Sequence, residues 1–243
     1  MFAVITHNKM SLGLVGLGFV AAIAFTGVAL MQRDLDSSLQ PVMAKGAVEL
    51  PDGATILVQQ HEVTVAEWNA CTADNGCSLT LHVRSGMDPA TTPATGLSYV
   101  DVQEYIAWIN ARTGQDYRLP TADEWSLMAA PVLPEEPDPI FTDLSLTWAS
   151  TYLTNGTTPR ALKTQGSFSI SPEGIADLDG SVWEWTSDCY ADSVTTDRCP
   201  AFYVGGEHVA AMSYLIRDPA RGGCAAGSPP AHLGLRLVTD DRL

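Results

Sequence analysis

The sequence predicts an α+β body behind one N-terminal membrane span, and three observations predict it. Helical periodicity with capping signals is confined to the chain before residue 131. Beyond it come glycines, prolines and short apolar runs, and residues 10–31 carry no charge. Helices gathered early and short strands late argue against an alternating βαβ order, in which the two would interleave.

The elements follow in chain order. "MSLGLVGLGFVAAIAFTGVALM", Met10 to Met31, has roughly the ~20 apolar residues that cross a bilayer. His7 and Lys9 precede it and "QRDLDSS" follows. A basic flank before the span and an acidic one after it favour a cytoplasmic N-terminus (1–9), an anchor (10–31) and an exported body. The competing reading is a cleaved signal peptide, with Gly27 and Ala29 as small residues before the cut. Residues 32–46 read as a linker and 47–243 as the domain. "ATILVQQHEVT", 54–64, alternates apolar and polar residues as a strand does. "TVAEWNACTADNG" predicts a helix capped by Thr64, with Glu67 completing a capping box and Gly76 as its stop. In "SYVDVQEYIAWINARTG" the apolar Val102, Tyr105, Ile106 and Ile109 recur at three and four, and Gly114 closes the helix. "LPTADEWSLMAA" starts a third, with Thr121 as cap and Glu124 as partner. "PVLPEEPDP" cannot continue it.

Composition narrows the function. The chain has 243 residues, 46% of them hydrophobic, and 28 acidic against 13 basic residues give a net charge of −15. That balance argues against nucleic-acid binding, which needs clustered Lys and Arg to meet phosphate. Four of the five cysteines fall into two close pairs, Cys71 with Cys77 and Cys189 with Cys199. Short loops closed by disulfides suit an oxidising compartment, although sequence alone leaves connectivity open. Cys224 is left over.

Several motifs then occur in one order: "EVTVAEWNAC", "YVDVQEYIAWINARTGQDYRLPTADEW", "GIADLDGSVWEWTSD" and "GLRLV". Together they resemble the formylglycine-generating-enzyme, or sulfatase-modifying-factor, domain over roughly 47–238. The resemblance implies a compact, loop-rich variant of the C-type-lectin fold. The anchored, exported architecture is most similar to NirV-type periplasmic members, encoded near copper nitrite reductases. It therefore implies a single-pass protein of the bacterial inner membrane with its domain in the periplasm, partnered by a respiratory or denitrification redox protein.

The resemblance also assigns sites. In the family the segment matching "DLDGSVWE" wraps a calcium ion. Here that implies a side-chain oxygen from Asp177, backbone carbonyls from Gly180 and Val182, and the carboxylate of Glu184, a hard-oxygen set that suits calcium. As a strand, "VWEW" would put Trp183 and Trp185 on one face and Glu184 on the other. The competing reading has Asp177 and Asp179 capping a turn and Glu184 pairing with an arginine. Oxidising members bind copper through two cysteines, whose positions here are Ala210 and Leu215. Neither residue supplies the soft thiolate that captures Cu(I). Gly205 and Gly206 match the family's glycines, but the flanking residues are Val204 and Glu207-His208. The histidines His61, His82, His208 and His232 lack facial-triad spacing. Two functions follow: a non-catalytic accessory domain that binds a partner, or an oxidoreductase with chemistry relocated around His208 and Cys224.

Overall fold

In the computed structural model the described residues are 35–133, 161–190, 198–207, 209–217 and 232–240. They form the α+β arrangement expected, three helices and two small sheets within one compact unit. The expected span at Met10–Met31 and most of the "PVLPEEPDP" loop lie outside the described residues. No helix among them is long and apolar enough to cross a membrane.

Local chemistry sets each helix start. In α1 (Val65–Ala73) the Thr64 hydroxyl accepts from the Glu67 N–H at 3.2 Å, and the Glu67 carboxylate accepts from the Thr64 N–H at 2.7 Å. In α3 (Ala122–Ala129) Thr121 and Glu124 repeat the arrangement. The longest helix, α2 (Tyr99–Thr113), has a box that the periodicity did not reveal: Ser98 is the cap and the shorter Asp101 takes the glutamate's place. Gly114 ends α2 at φ 70, the left-handed conformation that favours glycine. Gly76 does not stop α1, which ends at Ala73, and Asn75 makes the left-handed turn at φ 59. Gly76 instead lies under the Trp108 side chain, where any Cβ would collide. The Cys71–Cys77 disulfide closes this turn, with its Cα atoms 5.3 Å apart. Cys189 and Cys199 are joined likewise, at 5.8 Å. Both expected pairings are present.

One sheet has the order β1 (Val48–Glu49), β2 (Thr55–Val58), β7 (Val238–Asp240), all antiparallel. The expected strand over 54–64 is therefore shorter, ending at Val58. That sheet has the order β5 (Ala210–Ser213), β4 (Ala201–Gly205), β3 (Val182–Cys189), β6 (His232–Gly234), with β3 and β6 parallel. The segment expected as a linker, 32–46, belongs to the folded body from Leu35 onward. Asp36 N–H bonds to the Arg112 carbonyl at 2.8 Å, Met43 bridges to Gln59, and Ala44 is buried. The segment's backbone finds partners in the body.

The core has two parts, one on each side of the β3 strand. Trp183 and Trp185 lie in the larger, with Trp68, Tyr105 and Phe202. Trp125 anchors the smaller, with Ile56, Val58, Ile175 and Val238. The alternation expected of "VWEW" holds, since Glu184 turns towards Trp125. Both faces are nonetheless buried. Gly205 and Gly206 explain themselves here. The Trp125 ring lies against Gly205 and the Trp183 ring against Gly206, so closely that a Cβ at either would strike the indole.

Candidate functional site

The most charged place in the interior lies between the two sheets, around Arg236. This residue follows β6 between two core leucines, Leu235 and Leu237, and its side chain is wholly buried. A buried guanidinium is tolerated only when its donors are met. Here all five N–H groups have acceptors. Nε donates to the Glu184 carboxylate at 3.0 and 3.1 Å, and Nη2 donates to Glu184 Oε1 at 2.8 Å. Nη1 donates to the carbonyls of Gln59 and Gln60 at 3.0 and 2.8 Å, and Nη2 to that of Ala176 at 2.9 Å. Burial works against the charge on Arg236, but the Glu184 carboxylate, with its hydrogen bonds, leads the opposing effects and the guanidinium stays charged. Glu184 also accepts from Trp125 Nε1 at 2.9 Å.

Glu62 is the unbalanced member. Its side chain is 2% exposed, Oε2 has no hydrogen-bond partner, and the nearest cation is Arg236 at 3.8 Å. Burial pushes its carboxyl up to about 8, against the pull of Arg236, and the negative charges of Glu184 and Asp177 push the same way. Three acids therefore surround one cation, and Glu62 keeps its proton at neutral pH.

Asp177 is tied to the main chain. It adopts φ 65, a conformation in which Asp and Asn are enriched. Its Oδ1 accepts from Phe168 N–H at 2.8 Å, and its Oδ2 accepts from Gly166 N–H at 2.6 Å, with His61 Nδ1 at 3.2 Å. Asp179 binds the Ser169 N–H and hydroxyl at 3.0 and 2.7 Å. Asp177 and Glu62 line a crevice with Lys163, Phe168, Ser181 and Val182.

The two carboxylates that the resemblance assigns to calcium thus have other partners. Glu184 meets an arginine, Asp177 and Asp179 hold turns, and Gly180 donates its N–H to the Asp177 carbonyl at 2.9 Å. Val182 pairs with His232 in the parallel ladder. As a donor set this does not fit calcium. Both carboxylates already accept from N–H donors, and a guanidinium stands where a second cation would be repelled. Among the described residues no group of three His, Cys, Asp or Glu side chains converges on a metal position. Asp177→Asn separates the two readings. Asparagine keeps the oxygen that calcium would take and tolerates the same backbone, but its amide must face one of the N–H donors. We expect a loss of about 1–3 kcal/mol, read as a lower melting temperature. Unchanged stability would favour a metal ligand.

The positions that the resemblance gives to the copper cysteines fall in and just after β5, the edge strand of the second sheet. Ala210 is a buried methyl in β5 paired with Val204, and Leu215 is 62% exposed in the turn that follows. Around that turn are the exposed side chains of Val100 and Tyr214, brought together by the Tyr99 N–H to Tyr214 carbonyl bond of 3.1 Å. His208 and Cys224 lie outside the described residues. His61 is brought to Asp177, 116 positions away, and His232 to β6. Arg236 and Glu62 were missed as site residues. The signal in the sequence was a charge inside an apolar run, "LGLRLV" and "HEVTV".

Comparisons with known proteins bear on the family and the fold. The family described as "Sulfatase-modifying factor enzyme 1-like domain" matches residues 32–241. Among solved structures, PvdO from Pseudomonas aeruginosa is similar at 17% identity and TM-score 0.52, covering 85% of this chain and 97% of its own. CarF is similar at 16% identity and TM-score 0.53, covering 84% and 100%. Treponema denticola variable protein 1 aligns at 16% identity and TM-score 0.46, covering 81% and 94%. At such identities the first two speak to the fold alone. No curated protein matches the chain.

Proposed function

The chain belongs to the sulfatase-modifying factor enzyme 1-like domain family, and from that premise we propose that it is a non-catalytic binding member. In this reading Met10–Met31 anchors it in a bacterial inner membrane, and its lectin-like domain serves a redox protein of the periplasm or the same membrane.

The observation that carries the proposal is the pair Ala210 and Leu215. Copper–cysteine oxidation needs two soft donors, and these positions offer a buried methyl and an exposed isobutyl group. The same turn presents Leu215 and Tyr214 to solvent beside the exposed Val100 of α2, apolar surface of the kind that a protein partner covers. Fold membership does not carry activity with it.

The test uses the full chain, purified in detergent and supplied with copper and a peptide bearing a sulfatase-type cysteine. No conversion of cysteine to aldehyde is expected, and metal analysis should find neither copper nor iron bound. Aldehyde formation would overturn the proposal. In spheroplasts, added protease should digest the body while the protein stays with the membrane fraction. A shortened protein released by osmotic shock would replace the anchor with a cleaved signal.

A further inference from the structure

We propose that Arg236 is the built-in cation of this fold, its guanidinium holding together the segments that the resemblance would give to calcium. The described body then needs no metal ion to organise the "DLDGSVWE" loop. This inference stands apart from the binding function proposed above.

The support is the oxygen cage itself. Five N–H donors meet one carboxylate and three main-chain carbonyls, and Glu62 adds a second acid at 3.8 Å. Such an all-oxygen set, carboxylate plus backbone carbonyls, is also what a hard dication would recruit. The acceptors come from three separate stretches: Gln59 and Gln60 beyond β2, Ala176 immediately before the loop, and Glu184 inside β3. Arg236 therefore joins both sheets to the start of the loop. Its planar fork suits such a bidentate, buried role better than a point charge does. Because the charge is covalently attached, no chelator can remove it.

The experiment is thermal unfolding of the full chain in detergent, followed by tryptophan fluorescence. For the wild type, excess chelator or added calcium should shift the melting temperature by less than about 1 °C, since a ligand that does not bind the folded state gives no stabilisation. Arg236→Met keeps the apolar stem but leaves Glu184 without its counter-charge, and should melt roughly 10 °C or more below the wild type. Arg236→Lys keeps a cation and should fall between the two. A melting temperature that drops by several degrees on chelation and returns with calcium would overturn the proposal. So would a methionine variant as stable as the lysine variant, because the side chain would then act by packing. If only the lysine variant folds, the ranking stands. If neither folds, chelation of the wild type decides.

Discussion

Glu62→Gln should raise the melting temperature at pH 8 and remove most of the wild type's loss of stability between pH 5 and pH 8. The sign follows from the proton count. Unfolded, Glu62 ionises near its ordinary value of 4.5, whereas in the folded protein burial delays ionisation to about pH 8. Between those values the folded state holds a proton that the unfolded state has released. Stability is then fully present below pH 4.5 and declines as pH rises through the window, by about 1.4 kcal/mol per unit at most. The total is on the order of a few kcal/mol, a large fraction of the stability of a typical domain. Glutamine has nearly the same shape and no proton to lose, so its profile should be flat in this window.

Asp101 and Glu124 shift in the opposite direction. Burial works to raise Asp101 and Glu124, but hydrogen bonds from Arg217 and Ser98 to the first, and from Arg118 and Thr121 to the second, outweigh it and hold both low. Their contribution is present above the ordinary carboxyl range and lost only as pH falls below it. Melting curves from pH 4.5 to pH 8.5 for both proteins make the check. A wild-type slope that survives in the glutamine variant would place the titrating group elsewhere.

How much of this was legible beforehand depended on how local each signal is. The capping boxes at Thr64 and Thr121, and the close cysteine pairs, are written within a few residues, and the structure has them all. The alternation of "VWEW" is equally local, so the opposed directions of Trp185 and Glu184 could be read. What Glu184 meets could not. Its partner Arg236 is 52 positions away, and the acceptors at Gln59 and Gln60 are 176 or more from Arg236. No spacing rule links such residues. The pairings that the competing reading named, an acid with an arginine beside two turn-holding aspartates, are present. Residues 35–46, read as linker, likewise have backbone partners distant in sequence, such as Arg112 and Val58. The glycines at 205 and 206 were matched to a catalytic motif, yet what they meet is the flat of two indoles.

Glu184→Gln should be the most damaging conservative change in the molecule, and its pH profile should identify the cause. The glutamate accepts from Arg236 on both oxygens and from Trp125 on one. Glutamine retains one acceptor and turns an N–H₂ group towards donors, while the guanidinium loses the charge paired with it. Removing one member of a buried ion pair costs about 3–5 kcal/mol, because the other is left uncompensated. One acid remains close enough to respond. With Glu184 neutral, Glu62 loses a repelling neighbour and keeps the attraction of Arg236 at 3.8 Å. Its carboxyl should then ionise at lower pH than in the wild type, partly restoring the counter-charge. The fall in stability between pH 5 and pH 8 should accordingly shrink in Glu184→Gln, although the variant is less stable throughout. The double variant Glu62→Gln/Glu184→Gln removes that reserve and should be less stable near pH 8 than the two single effects added together, by more than about 1 kcal/mol. Denaturant unfolding of the four proteins at pH 5 and pH 8 measures the cycle. Simple additivity at pH 8 would mean that Glu62 and Glu184 do not share Arg236, and that Glu184 serves β3 through packing alone.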